Sequence, residues 1–435
     1  MVKYLIIFLL FVLSFGYQAN AGPYDNVGAI TPFNLANSLD LADYCDGGDA
    51  NPDDSCMSTW IAAAKAQGKH LYASAGTYIY TTIQSNLFSN FHMKCASNTA
   101  VTFKGSANTF FIWSPSFITP GQPWSDISIE DCGFDMQDSI SNFGSVITIN
   151  PTVSGTKNIT IRGNRVFDST QPGSMYVEDT RQRQYIVILF SDDVLIENNN
   201  LSEGGRIKAG RPGNRIVIRN NTLFNINDNA ITVVNFPLSG QISSHHLIEG
   251  NTVTNPLGSG VFFGADGESS GTTIMVTTDV TIRNNLIVGN FDFGIIGTLP
   301  NRTARINIYG NIIIKNNAPF SLGGLFNSGI ALGRADNSVL PTQDITIRNN
   351  VVRTEGGAKL ELGGLFIKTN HNNICCLCNT FTIGPSPTYA IFLQRTTSGT
   401  LKLTGNELNG SVVRDDGTMV IDQSGSTNGC FVPTD

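Results

Sequence analysis

Charge is scarce in this chain. Of its 435 residues only 14% are Asp, Glu, Lys or Arg, and 27 cations set against 34 carboxylates leave a net charge of −7 and a pI of about 5.3. That balance disfavours a nucleic-acid partner held by bulk positive charge. Histidine is rarer still, five residues with no metal-ligand spacing. There is no GxSxG elbow, P-loop or HExxH helix, so the common nucleophile, phosphate and zinc-protease signatures are absent. Ala, Glu, Lys, Leu and Arg do not dominate, which excludes a coiled coil or helical array. Past the first 21 residues no apolar run approaches the ~20 residues of a spanning helix, so no membrane insertion is expected. Apolar residues themselves are plentiful at 41%, enough to build a core and exclude disorder.

The opening stretch, MVKYLIIFLLFVLSFGYQANA, reads as an export signal: Lys3, an apolar region from Leu5 to Phe15, and Ala19-Asn20-Ala21 before Gly22. The expectation is a secreted or periplasmic protein whose residues 22–435 form one domain, with an N-terminal cap to about 80, repeats over about 90–410 and a C-terminal cap over about 411–435. Eight cysteines suit an oxidising compartment. Cys45 and Cys56 bracket a short polar loop, and Cys95 and Cys132 are placed to pair across neighbouring repeats. Cys375, Cys376, Cys378 and Cys430 cluster near the C-terminus, with room for one or two bonds and Cys378–Cys430 as the candidate pair. A zinc site in ICCLC is the weaker reading, because the spacing is not C-x-x-C and His371 is the one nearby imidazole.

Self-similarity is the strongest signal. NITIRGN (158–164), DVLIENN (193–199), RIVIRNN (215–221), HLIEGN (246–251), DVTIRNN (279–285), RINIYGN (305–311) and DITIRNN (344–350) are alternating strands that stop at an asparagine. Asn164, Asn199, Asn221, Asn251, Asn285, Asn311, Asn350, Asn379 and Asn406 recur 22 to 39 residues apart. A second strand follows most of them (NAITVV, SGVFFG, FGIIG, SGIALG), and no helical segment lies between. Short strands in fixed register without crossover helices leave an all-β parallel β-helix, each coil rising about 4.8 Å. Two positions before each asparagine the outward residue alternates in sign, Glu130, Arg162, Glu197, Arg219, Glu249, Arg283, which reads as an ion-pair ladder rather than a binding strip. The asparagines read as a second ladder at the corners. STWIAAAKAQ (58–67) is the one convincing helix and would cap the open end.

The segment DDSCMSTWIAAAKAQGKHLYASAGTYIY (53–80) resembles the opening region of pectin-lyase-like right-handed β-helix proteins, matching at Asp53, Asp54, Ser55, Trp60, Ala64, Ala75, Gly76, Thr77 and Tyr78. The resemblance implies a right-handed β-helix acting on or binding polysaccharide, with the substrate groove over the strands that follow each asparagine. In those strands Lys208, Thr232, Phe262, Ile296, Ala331, Ile367 and Phe392 are expected to point outward, and small residues two places earlier (Ala230, Gly260, Gly294, Gly329, with Leu365 and Ala390) to leave a trough. Phe262 and Phe392 would stack on sugar rings, and Arg206, Lys208, Arg211, Arg334, Lys368 and Arg395 would favour an acidic, uronate-containing polymer.

Two constellations offer chemistry. SEGGRIKAGR (202–211) is similar to alginate-lyase and chondroitinase-like sites, in which a glutamate and a lysine five places on hold calcium and abstract the C5 proton; Glu203 and Lys208 match that spacing. The second glutamate of that pattern falls at Leu201, and its arginine falls near Asp228 and Asn229. On this reading Lys208 is the base of a β-elimination, Arg206 neutralises the uronate, and Asp228 or Glu203 assists or binds a cation, with calcium at Glu203 as the candidate metal. The other constellation is acidic. Asp228 and Asp292 each lie seven residues after a ladder asparagine, which puts them in one column two coils apart, roughly 9–10 Å between backbones, near the upper end of the separation used by inverting glycosidases. NINDNAI is faintly similar to the Asn-Thr-Asp block of polygalacturonase-like hydrolases, whose Gly-His-Gly block has no counterpart here. The expected activity is a polysaccharide lyase first, an inverting hydrolase second, and a non-catalytic tailspike-like or adhesin-like binder third.

Overall fold

Strand-forming heptads that end in Asn-Asn or Gly-Asn turn a corner because the first residue of the pair enters the left-handed region. Asn198 (φ 55°), Asn220 (55°), Gly250 (62°), Asn284 (54°), Gly310 (64°) and Asn349 (53°) all do so, and Asn and Gly are the residues that tolerate it. The computed structural model describes residues 23–430 apart from 83–86, 106–111, 114–122, 138–144, 152–154, 171–183, 211, 236–241, 266–275, 290, 299–302, 317–326, 334–342, 369–372, 385–388, 395–398, 410–411, 416–419, 426 and 428–429. The proposed export signal lies outside the described residues.

Among the described residues each coil gives one strand to each of three sheets, of 14, 12 and 11 strands, and every strand pair is parallel. One coil reads Asn214–Arg219 in the first sheet, Thr222–Ile226 in the second and Ile231–Asn235 in the third. Inward residues stack in columns: Ile196, Ile218, Ile248, Ile282, Ile308 and Ile347 pair in register and are fully buried. A parallel sheet built this way buries aliphatic side chains along the whole axis.

Both sequence-derived ladders are present. From Asn164 to Asn406 each side-chain Nδ2 donates to Oδ1 of the asparagine one coil on, at 2.9–3.0 Å, and each also donates to a carbonyl of the coil before. No amide in this buried column is left unsatisfied, which is what makes burying it tolerable. Outside, Arg162 donates to Glu130 at 2.7 Å, Arg219 to Glu197 at 2.7 Å and Arg283 to Glu249 at 2.7 Å, after which Tyr309 takes over, accepting from Arg283 and lying under Arg348.

The capping helix spans Asp54–Gln67, beginning four residues before the sequence reading placed it. Its buried face, Met57, Trp60, Ile61 and Ala64, follows the helical period and closes the end of the core. Asp53 starts it early: its carboxylate accepts from the Ile79 amide at 2.7 Å, while Asp54 gathers Thr81 and Thr82. Among the described residues no helix is long and apolar enough to cross a membrane.

Cys45–Cys56 and Cys95–Cys132 are bonded as expected. The third bond is Cys375–Cys430, not Cys378–Cys430. The register explains the correction. Cys375 faces outward on the strand Asn373–Leu377, Cys376 faces the core and is fully buried, and Cys378 occupies the left-handed corner column with φ 53°. Cys376 and Cys378 are free thiols.

One core position breaks the aliphatic pattern. His246 sits inward between Ile216 and Val280, bonds Ser243 Oγ at 2.8 Å through Nε2, and has no partner at Nδ1. Burial pushes its pKa down to about 3 from the ordinary 6.5. The unfolded chain therefore binds a proton near 6.5 that the folded chain refuses until about 3, so stability falls by about 1.4 kcal/mol per pH unit across that window. His246→Val should flatten this contribution: the gap between variant and wild-type denaturation midpoints should widen in favour of the variant from about pH 6.5 down to about pH 4. A gap independent of pH would rule the account out.

Candidate active site

The corner between the second and third sheets is where chemistry gathers. Its backbone stacks coil on coil: Gly258 N donates to Asp228 O at 3.3 Å, Asp292 N to Gly258 O at 2.9 Å, and Ser328 N to Asp292 O at 3.0 Å. Asp228, Gly258 and Asp292 thus form one column, as their equal offsets from the asparagine ladder require. The middle coil contributes glycine. A Cβ there would lie 3.0 Å from Asn229 and from the Asp228 carbonyl carbon, so the space between the two carboxylates, about 9–10 Å apart at their backbones, holds no side chain from the intervening coil.

The two carboxyl groups differ in surroundings. Asp228 Oδ2 accepts from Arg206 Nη1 in an ion pair whose guanidinium is almost wholly buried. Asp292 is pushed above the usual carboxylate range, first by burial and then by the negative charge of Asp228, with Lys315 acting against both. Lys315 comes from the next coil, at the end of the strand Ile312–Lys315 in register with Gly289. Its ammonium donates to the Phe291 carbonyl and lies 5.2 Å from the Phe291 ring. Burial lowers its pKa to about 8, against the pull of Asp292 and Glu361. Two carboxyl groups and a cation are therefore gathered at one corner, one carboxyl ion-paired and the other raised by burial.

Lys315 was missed by the sequence reading, though offset counting contains it. It stands four residues after Asn311, in the column of Glu203, Asn225, Asn255 and Gly289, which are each four after their own ladder asparagine. Glu203 itself opens a short amide ladder: its carboxylate accepts from Asn225 Nδ2 at 3.3 and 3.4 Å, and Asn225 Oδ1 accepts from Asn255 at 3.2 Å. Among the described residues the cluster of three His, Cys, Asp or Glu ligand atoms is Cys45, Asp53 and Cys56, away from Glu203.

Lys208 lies on the outer face of the third sheet between Val187 and Thr232, only 5% exposed. The same column continues through Phe262, Ile296, Ala331, Phe366 and Phe392, with Phe366 and Phe392 ring centroids 5.6 Å apart and Tyr389 5.5 Å from Phe392. Phe366 replaces Ile367 in the expected column and Gly364 replaces Leu365, because Leu365 is the residue that pairs with the inward Ile330. The expected trough is also corrected. Ala230, Gly260, Gly294, Gly329 and Gly364 face inward: a Cβ would meet Ile287 at 2.6 Å from Gly260, Ile313 at 2.5 Å from Gly294, Val352 at 2.3 Å from Gly329 and Phe381 at 2.5 Å from Gly364. These residues are small because second-sheet core side chains fill the space beneath them. Lys368 follows the strand Leu365–Ile367, its amide donating to Leu332 O at 3.0 Å. Arg211, Arg334 and Arg395 lie outside the described residues.

The fold is shared with solved structures. The A-module of the mannuronan C-5 epimerase AlgE6 from Azotobacter vinelandii aligns over 88% of this chain and 97% of its own, at 13% identity and TM-score 0.65. A hyperthermoactive exopolygalacturonase from Thermotoga maritima covers 88% of this chain and 94% of its own, at 13% identity and TM-score 0.56. PfbA, a surface adhesin of Streptococcus pneumoniae, covers 88% and 93%, at 17% identity and TM-score 0.54. The chain is a right-handed parallel β-helix of the pectin-lyase-like fold. No family model matches it, and no curated protein matches it in sequence. What this β-helix shares with its structural neighbours is architecture, so its activity has to be argued from the corner itself.

Proposed function

We propose that the protein is a polysaccharide hydrolase of the inverting kind, with Asp292 as general acid and Asp228 as general base. The observation that carries this reading is the column Asp228–Gly258–Asp292, in which one carboxyl is ion-paired to Arg206 and the other is pushed toward its protonated form. In the reaction Asp292 gives its proton to the glycosidic oxygen as the C–O bond breaks. Asp228 takes a proton from the water that attacks the opposite face of the anomeric carbon, and two hydroxyl-ended sugars result. The carboxylate left on Asp292 forms beside the Lys315 ammonium, which favours it electrostatically. Arg206 orients Asp228 through their ion pair, and is therefore engaged within the site rather than available as a uronate clamp. The carbohydrate-active and adhesive neighbours support a polysaccharide as partner, and three disulfides suit an extracellular setting.

One observation favours the lytic reading instead: Lys315, near 8, is an amine able to accept a proton close to neutrality. The two are separated by incubating the protein with alginate, polygalacturonate, glycosaminoglycans and neutral glucans while following reducing ends and unsaturated-uronate absorbance together. Reducing ends alone, with a product anomer inverted by NMR, are expected. Both signals rising would replace hydrolysis with elimination, and Lys208→Ala would then show whether that lysine is its base. Binding without either signal would leave an adhesin-like protein.

A further inference from the structure

The centre of the first sheet's outer face is one continuous column: His70, His92, Ser128, Thr160, Leu195, Val217 and Leu247. Residues 24–34 run across it. Tyr24 donates to His246 O at 3.4 Å, and Val27 packs on Leu195, Val217 and Leu247. Gly28, at φ 67°, approaches so closely that a Cβ would lie 2.4 Å from Leu195, and its carbonyl accepts from Thr160 Oγ1 at 2.7 Å. Thr31 gives both its amide and its hydroxyl to Asp126, at 2.8 and 2.6 Å. At the far end the Asn34 amide donates to Nδ1 of His70 at 2.9 Å, and Phe33 lies 5.3 Å from the same imidazole.

That last bond has a definite protonation requirement, since an imidazole nitrogen accepts only when it carries no proton. We propose that residues 24–34 form a pH-operated strap, docked while His70 is neutral and released from the first sheet when His70 and His92 take up protons. Three effects act together on acidification. Asn34 loses its acceptor. The two rings, 4.7 Å apart between centroids, become like charges. A charged His92, whose Nε2 lies 3.5 Å from Asp126, competes with Thr31 for that carboxylate.

The charged groups around the pair are few. Ser38 faces His70 from the first strand, and Asp126 is the nearest carboxylate. Glu130 is held by Arg162, Lys94 is turned to Asp131 at 3.2 Å, and residues 27–34 carry no charge. Burial already lowers both histidine pKa values, the Asp126 charge acting against it, so the release falls on the acid side of an ordinary histidine. Release would bare the apolar residues Leu195, Val217 and Leu247.

Hydrogen exchange on the intact protein tests this without passing through catalysis. Peptides covering 24–34, corrected for intrinsic exchange, should lose at least about tenfold protection between about pH 7.5 and pH 5, with a midpoint below that of an ordinary histidine. His70→Asn offers a side-chain acceptor that does not titrate and should keep the segment protected at both values. Unchanged wild-type protection across that range, or the same loss in His70→Asn, would each overturn the proposal. If His70→Asn fails to dock at neutral pH, the wild-type midpoint decides alone.

Discussion

Asp292→Asn is expected to lower the rate of polysaccharide hydrolysis by about 10²- to 10⁴-fold, roughly 3–5 kcal/mol of barrier. Asparagine keeps the shape of the side chain and removes the proton that the leaving oxygen needs. Substrate binding should change little, so the loss belongs in kcat. Direction with pH is fixed by the same group. Hydrolysis requires protonated Asp292, whose pKa is raised, so activity should fade on the alkaline side as that proton is lost. Lys315→Met takes away the one neighbour that lowers the Asp292 pKa and should move that alkaline limb upward, a displacement that damage to folding alone would not give. Asp292→Asn retaining wild-type kcat would remove the aspartate column from the mechanism.

Asn251→Leu should be strongly damaging to the fold although it lies outside the site. Asn251 Oδ1 accepts from the Asn221 amide at 3.0 Å, and its Nδ2 donates to Ile218 O at 2.9 Å. Leucine fits the volume but leaves both backbone groups buried without these partners, at about 1–3 kcal/mol each, so a loss of about 2–5 kcal/mol is expected. Asn200→Leu is the matched control, one residue beyond the ladder asparagine of an earlier coil and exposed, where the change should stay within about 0.5 kcal/mol. Denaturant midpoints for the two variants check the difference. Equal effects would show that the ladder is ornamental to stability.

The coil repeat was legible because asparagine cannot be buried in a stack unless every neighbour answers its hydrogen bonds, which forces the same residue to recur. The Asp228–Asp292 column was legible for the same reason, since offsets from a fixed ladder become positions on a surface. Three features escaped. Ala230 and the glycines at 260, 294 and 329 break strict alternation at the start of third-sheet strands, so two successive residues such as Gly260 and Val261 face inward. Cys378 shares the left-handed corner with Asn198 and Asn284, a role visible only once the residue before each ladder asparagine is aligned as carefully as the asparagine itself. Lys315 looked like the polar end of an aliphatic strand. Its meaning depends on the coil before it, where the Phe291 carbonyl accepts from the ammonium.

The coil that carries Gly258 works as a ruler. Axial distance in a solenoid comes only in whole steps of about 4.8 Å, so the gap between Asp228 and Asp292 cannot drift with loop length. It can be one step or two, nothing between. At two steps the carboxyls leave room for water. With one step gone they would stand near the roughly 5 Å spacing of a retaining enzyme. On the hydrolase reading, stereochemistry at the anomeric carbon would be written as an integer, the number of coils separating two aspartates.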